Sequence, residues 1–183
     1  MLVFEEHNAN ENVVKHVSYD QYLKEVTHHL THGGIFLNTR GEKDNTMIIG
    51  WGGLTYYWNK PIFLVPVRTS RYTWKAINDT GVFTVSVPLG VNLKKEIAFC
   101  GSKSGRDYDK FQESNLTSLP GKLVKAPIVG ECTLHFECKV VFKQSMEPSL
   151  LEDSVKERHY KKDDYHTMFY GEILDCYTTN SEV

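Results

Sequence analysis

The clearest pattern along the chain is an alternation of apolar and polar residues between positions 132 and 142. Every second residue is apolar, namely Cys132, Leu134, Phe136, Cys138, Val140 and Phe142. Successive side chains of a β-strand point to opposite faces of the sheet, so a period of two predicts a strand here.

Five further segments, rich in apolar, β-branched or aromatic residues, are predicted to form strands. They cover residues 34–39, 46–51, 61–67, 81–87 and 166–177. The first two are separated by the polar stretch RGEKDN, which is typical of a turn and predicts a hairpin. The run PIFLVPV is almost continuously apolar, which predicts a strand buried on both faces.

Helical signals lie between the strands. Apolar residues at helical spacing predict a helix over 19–31, and Gly33-Gly34 follows its end. Ser70 is a candidate N-cap for a helix that runs to about residue 78, and Asn92 is a candidate N-cap for the next. Residues 149–160 form a charged amphipathic segment, which predicts a peripheral helix.

The predicted class is therefore antiparallel strands with short inserted helices, within one domain over residues 1–183. This pattern fits an α+β domain or a mainly β barrel with helical decoration, and periodicity does not choose between them. We find no repeat, low-complexity tract or linker in the sequence.

The composition argues against several classes of function. Hydrophobic residues make up 40% and charged residues 24%, as in ordinary globular proteins, and the net charge of −2 argues against bulk nucleic-acid binding. No run approaches the roughly 18 apolar residues of a membrane span, and the first residues lack a secretory pattern. We expect a cytoplasmic protein without membrane or nucleic-acid partners, whose four cysteines are reduced and buried.

The segment VRTSRYTWKAI (67–77) is the first candidate site. Arg68 and Arg71 flank Ser70 just before a predicted helix, whose N-terminus offers unpaired N–H groups and partial positive charge. Together these groups suit a phosphate. The alternative is a surface cap with two solvated arginines.

The segment AFCGSKSGRDYDKF (98–111) is the second candidate. Its glycines allow successive N–H groups to converge on an anion, while its serines and basic residues complete the shell. A solvated loop between two helices, or a redox site at Cys100, would have a similar composition.

The segment DNTMIIGWGGLTYYW (44–58) is the third candidate. Its small residues would let a flat ligand approach the backbone, and the alternative is a strand that leads into an aromatic-rich turn. No metal site is expected, because the cluster of His28, His29 and His32 lacks the spacing of a zinc motif.

Taken together and in order, these segments resemble the flavin reductase-like, FMN-binding split-barrel family, in its flavoredoxin branch. The series continues with FTVSVP, APIVGECTLHFECKVV and HTMFYGEIL, and it covers roughly residues 30–177. The resemblance implies a six-stranded antiparallel split β-barrel with peripheral helices. It also implies a homodimer with one FMN per subunit, reduced by NAD(P)H or by another redox protein.

The resemblance further implies cofactor-binding residues in all three segments. They are Asn45, Thr46, Met47, Gly50, Trp51 and Gly52; Arg68, Ser70, Arg71, Tyr72 and Thr73; and Cys100, Gly101, Ser104, Gly105, Arg106, Lys110 and Phe111. Within this set Cys100 is expected to be structural rather than redox-active.

The chain departs from the family pattern at two places. Thr69 replaces a proline that is frequent in relatives. Many NADH-dependent members carry Gly-Asp-His before the last strand, where this chain has Asp164-Tyr165-His166. His166 is therefore the candidate catalytic residue on the nicotinamide side, while the electron donor stays open. The alternative function is a non-catalytic module that binds FMN or another phosphorylated ligand.

Overall fold

An antiparallel sheet of eight strands forms the body of the protein, whose computed structural model describes residues 14–179. The strands are β1 (Val14–His16), β2 (Ile35–Arg40), β3 (Asp44–Ile49), β4 (Gly53–Tyr57), β5 (Lys60–Arg68), β6 (Val82–Val87), β9 (Leu134–Ser145) and β10 (His166–Thr179). Two short strands, β7 (Ser118–Pro120) and β8 (Pro127–Val129), form a separate pair. The helices are α1 (Leu23–Thr31), α2 (Tyr72–Thr80), α3 (Lys94–Ser102), α4 (Lys110–Glu113) and α5 (Asp153–His159), with a 3-10 helix at Pro148–Leu150.

The strand order is β3-β2-β6-β9-β10-β5-β4, with β1 added beside β10. All neighbouring strands are antiparallel, and β2 and β3 form the predicted hairpin. The two ends of this order, β3 and β4, are consecutive in the chain and joined by residues 50–52. The mainly β antiparallel architecture is thus confirmed. All six predicted strands are present, and β1 and β4 bring the sheet to eight.

Apolar side chains pack on both faces of β2. Leu37 belongs to the main core with Phe63, Phe83 and Phe136. Its neighbour Phe36 points to the opposite face, into a second core. Alternation along a strand sends adjacent residues to opposite faces, so β2 joins the two cores. The second core lies beneath α3 and α4 and fixes their position on the sheet.

The helix starts differ from the predictions. The cap of α2 is Arg71, without a side-chain capping bond, so the assignment of Ser70 was wrong. Ser70 Oγ instead donates to a carboxylate oxygen of Asp164 at 2.6 Å. The cap of α3 is Leu93, although Asn92 Oδ1 accepts from the N–H of Lys94 at 3.4 Å.

The two remaining helix predictions were too long. The first helix begins only at Leu23, and the amphipathic segment 149–160 divides into the 3-10 helix and α5.

The state of the cysteines and the length of the helices can be compared with the sequence-based expectations. All four cysteines are free and buried, as predicted. Between residues 14 and 179 no helix has the length and apolarity needed to cross a membrane.

Candidate functional site

A cavity of about 240 Å³ opens where the ends of β3 and β5 meet the start of α2. The polar and aromatic part of its lining comes from Trp51, Arg68, Arg71 and His166. Residues 47–50 and Pro66 supply the rest. Residues that are distant in the chain meet here: β3 is one end of the strand order, and β5 and β10 are paired neighbours near the other end.

Two buried oxygen atoms on β3 lack partners. Asn45 Oδ1 and Thr46 Oγ1 form no hydrogen bond, although Asn45 is 2% exposed and Thr46 is 0% exposed. The amide nitrogen of Asn45 donates to Thr73 Oγ1 at 2.9 Å, which fixes the orientation of the side chain. Buried polar atoms are nearly always hydrogen-bonded, so unpaired oxygens on this edge strand fit a polar ligand.

The glycine loop after α3 reaches β3 at Gly105. A β-carbon on this buried residue would lie 2.1 Å from Asn45 Oδ1 and 2.7 Å from the ring of Tyr72. Only a residue without a side chain allows such an approach. The second and third candidate segments therefore meet at Asn45, and Tyr72 brings in the first.

Lys110 is a buried cation beside this loop. It is 4% exposed, and its Nζ donates to the carbonyl oxygen of Cys100 at 2.8 Å. Burial, together with the positive charge of Arg71, lowers the pKa of Lys110 to about 8. A bound anion would offset both effects, because its negative charge stabilises the buried ammonium of Lys110 and reduces its repulsion by Arg71.

The two arginines of the first segment differ in their contacts. The Arg68 guanidinium donates to the carbonyl oxygens of Asp164, at 2.5 Å, and His159, at 2.9 Å. It also lies 5.0 Å from the ring centroid of Tyr160. The Arg71 guanidinium forms no hydrogen bond or ion pair with any residue in 14–179. Arg71 is therefore the arginine available to an anion, whereas Arg68 anchors the segment that precedes β10.

His166 closes the cavity opposite β3. It is 7% exposed, and its ring centroid lies 5.2 Å from that of Trp51. Burial, assisted by the charges of Arg68 and Arg71, lowers the pKa of His166 to about 4. The imidazole is thus neutral at physiological pH and can act as a hydrogen-bond donor or acceptor.

The predicted site residues that line this cavity are Met47, Gly50, Trp51, Arg68, Arg71 and His166, and the others, including Asn45, Thr46 and Lys110, lie outside its lining. The side chains of Cys100 and Phe111 pack in the second core. A β-carbon on Gly52 would meet the carbonyl oxygen of Leu64 at 2.2 Å, so this glycine permits close packing on β5. Ser104 Oγ accepts from the N–H of Arg106 at 3.2 Å within the loop. Gly101 lies in α3 against Ile48.

Sequence reasoning missed the contacts that His159, Tyr160 and Asp164 make with Arg68 and His166 beside the cavity. It had interpreted residues 149–160 as a peripheral helix and had considered Asp164 only as a departure from the family pattern. The cluster of histidine and tyrosine in RHYKKDDYH was an available signal. No group of three metal-ligating side chains is found among residues 14–179.

The model of the flavin reductase-like domain family matches residues 28–183, which is most of the chain. The chain belongs to this family. Among solved structures, flavoredoxin of Desulfovibrio vulgaris is 30% identical, with a TM-score of 0.61 over 78% of this chain and 67% of that one. Flavoredoxin from Methanosarcina acetivorans is also 30% identical, with a TM-score of 0.60 over 81% of this chain and 68% of that one.

A curated relative from Archaeoglobus fulgidus is 32% identical over 133 residues. The match covers 73% of this flavin reductase-like chain and 64% of the relative, which is less than two thirds of the relative's length.

Proposed function

We propose that this protein is an FMN-binding oxidoreductase of the flavin reductase or flavoredoxin type. The observation that carries the proposal is the arrangement around Asn45. Two unpaired buried oxygens lie on β3, with the glycine loop, the buried Lys110 and the unpaired Arg71 nearby. This set suits a ligand that has both polar ring atoms and a phosphate.

In this arrangement Arg71, Lys110 and the start of α2 hold the phosphate. Asn45 and Thr46 pair with polar atoms of the ligand, and Trp51 contributes an apolar surface against a flat ring. FMN, when bound, supplies the ability to accept and pass on electrons, and the protein supplies binding, orientation and electrostatic environment.

The absorption spectrum of the purified protein, followed by titration with FMN, tests cofactor binding. Flavin absorption bands, or saturable quenching of FMN fluorescence, are expected. Riboflavin is the matched control, because it lacks the phosphate and should bind more weakly. Equal binding of FMN and riboflavin would contradict the phosphate site, and binding of neither would overturn the proposed function.

The electron donor is NAD(P)H or a partner redox protein. The placement of the neutral His166 in the cavity supports a nicotinamide, whereas the replacement of Gly-Asp by Asp164-Tyr165 supports a protein donor. Anaerobic addition of NADH or NADPH to the FMN-loaded protein separates the two. Bleaching of the flavin band identifies nicotinamide use. If the protein retains the flavin but turns over no pair of electron donor and acceptor, a non-catalytic binding module is favoured instead.

The protein also acts, in this proposal, as a homodimer. An aromatic patch formed by Tyr57, Trp58, Phe142 and Tyr170 is supported by ring contacts of 5.2–6.0 Å, and Trp58 is 56% exposed. The ion pair Lys60–Glu172 adds both charges to the same sheet face, which suits pairing with an identical surface.

Sedimentation velocity tests the dimer. Trp58→Ser combined with Phe142→Ser should convert it to a monomer. Leu150→Ser, at an 83% exposed site away from the patch, should leave it unchanged. A wild-type monomer at micromolar concentration would refute the homodimer.

A further inference from the structure

Tyr160 and His166 form a buried pair in which His166 lines the cavity and Tyr160 contacts it from outside the lining. The Tyr160 hydroxyl lies 2.7 Å from Nδ1 of His166, and the two side chains are 4% and 7% exposed. His166 also lines the cavity, and its Nε2 has no hydrogen-bond partner among residues 14–179. One ring nitrogen is thus used by the protein, and the other remains for a ligand.

The direction of this hydrogen bond follows from the needs of both groups. If Nδ1–H donated to the tyrosine oxygen, the Tyr160 hydroxyl proton would need a second acceptor, and none is found within 14–179. A buried donor without an acceptor costs more free energy than a single hydrogen bond returns. If the hydroxyl donates to Nδ1, both groups are satisfied, and the imidazole proton is on Nε2.

We propose that Tyr160 is a positioning residue that holds His166 as the Nε2–H tautomer, so that a neutral hydrogen-bond donor faces the cavity. The ligand class that this donor recognises is a planar group with a carbonyl oxygen or an unprotonated ring nitrogen at its edge. Trp51, whose ring is 5.2 Å from that of His166, supplies the aromatic surface against which such a group packs.

The surroundings hold the pair in this state. Arg68 donates to the carbonyl oxygens of His159 and Asp164, and its guanidinium lies over the Tyr160 ring. The Tyr165 ring stacks on the Tyr160 ring, with their centroids 5.0 Å apart. Burial raises the pKa of Tyr160, so its hydroxyl keeps the proton that it donates.

The charged groups near His166 act in both directions. Arg68 and Arg71 oppose protonation of the ring, and Asp164 favours it, while burial adds to the effect of the arginines. The ring centroid of His159 lies 5.2 Å from that of Trp51, and Tyr165 stacks on Tyr160 in the same segment.

Nitrogen-15 NMR of histidine-labelled, flavin-free protein tests the tautomer directly. The wild type should show His166 protonated at Nε2 and unprotonated at Nδ1 between pH 6 and pH 8. Tyr160→Phe keeps the ring and removes the hydroxyl, so the tautomer ratio should shift by about fivefold, the equivalent of one neutral hydrogen bond. Tyr165→Phe is the matched control and should leave the ratio unchanged.

A wild-type spectrum with His166 protonated at Nδ1 would overturn the proposal by itself, even if Tyr160→Phe failed to fold. An unchanged ratio in a folded Tyr160→Phe variant would overturn the role of Tyr160. Because the measurement uses flavin-free protein, it does not depend on whether FMN binds.

The ligand class is tested with two aromatic probes of similar size, acetophenone and ethylbenzene. Acetophenone has a carbonyl oxygen and ethylbenzene has none. Acetophenone should shift the Nε2 and Nε2–H resonances of His166, and ethylbenzene should not. Equal shifts with both probes, or no shift with either, would overturn the ligand class.

Discussion

Gly105 lies so close to Asn45 that a β-carbon on the glycine would be 2.1 Å from the asparagine side-chain oxygen. The contact joins the glycine loop to strand β3, and both partners are buried. Because Tyr72 is the next nearest group, at 2.7 Å, a larger residue at 105 has no open direction to occupy.

Gly105→Ala is therefore expected to lower the free energy of unfolding by about 1–3 kcal/mol and to weaken FMN binding. Gly101→Ala is the matched control. Gly101 lies in helix α3, and its β-carbon would meet Ile48 at an ordinary 3.5 Å. Alanine is the better helix former, so this control should be neutral or slightly stabilising. Urea unfolding and FMN fluorescence titration check both variants. A Gly105→Ala protein that matches wild type in both would contradict the proposed packing.

The lowered pKa of Lys110 predicts that FMN binding by this protein depends on pH. Its pKa is lowered from 10.5 to about 8, so the ammonium is charged below pH 8 and is lost as the pH rises. Bound phosphate raises this pKa again, so the decrease in affinity should begin near pH 8 and continue above it. We expect the Kd for FMN to rise by about tenfold, as for one lost charge-assisted hydrogen bond.

Titrations at pH 7 and pH 10 measure this change. Lys110→Met should bind FMN weakly at both values and show little pH dependence. Wild-type affinity that is equal at both pH values would show that the ammonium does not contact the phosphate.

Substitution of Arg71 and substitution of Arg68 should have different effects on FMN affinity and on stability. Arg71→Ala removes a guanidinium with no other partner in the described chain, so FMN affinity should fall by about 1.5–3 kcal/mol with little change in stability. Arg68→Ala removes two bonds to carbonyl oxygens and a contact with Tyr160, so it should destabilise the protein. Thermal unfolding and FMN titration of each single variant distinguish them. Equal losses of affinity and stability in both variants would contradict the division.

His135 should weaken the fold in acid. It is fully buried, and burial lowers its pKa from 6.5 to about 4. Between these values the unfolded chain binds a proton that the folded protein does not. The free energy of unfolding should thus fall by about 1.4 kcal/mol per pH unit as the pH drops through this window. The pKa of His166 is lowered in the same direction and adds a second contribution.

Urea unfolding between pH 7 and pH 4.5 measures the slope. His135→Asn retains a polar side chain but loses this titration, so its slope should be about half that of wild type. The same slope in both proteins would show that His135 does not control acid stability.

Strand positions could be predicted because burial imposes a period of two on the sequence. Leu134, Phe136 and Cys138 of β9 are buried as this period predicts, whereas Phe142 at the far end of the same pattern is exposed. The continuous apolar run of β5 is buried on both faces as expected. Strand β4 was missed because Gly53 and the exposed Tyr56 and Tyr57 do not alternate with apolar residues. The aromatic turn expected there is real, with Trp58 and Asn59 at φ values of 54° and 57°.

Alternation did not reveal that the other face of β9 is partly covered. His135 and Glu137 are polar, yet both are 0% exposed. Glu137 accepts N–H bonds from Lys122, Leu123 and Val124, and it accepts the hydroxyl of Tyr177. A buried carboxylate is tolerated because these donors replace water, and they come from a loop whose path no local pattern predicts.

Local periodicity and the order of the segments were enough to predict the six main strands, the sheet class and the three segments that meet at Asn45. The packing of distant segments decides instead which of these groups are already bonded within the protein and which remain available to a ligand. Arg68 and Arg71 are equivalent in the sequence, but Asp164 and His159, more than 90 positions away, bind the first and leave the second. Tyr160 was likewise brought to His166 by the turn after α5. Such contacts depend on how distant segments pack, which no local pattern of residues encodes.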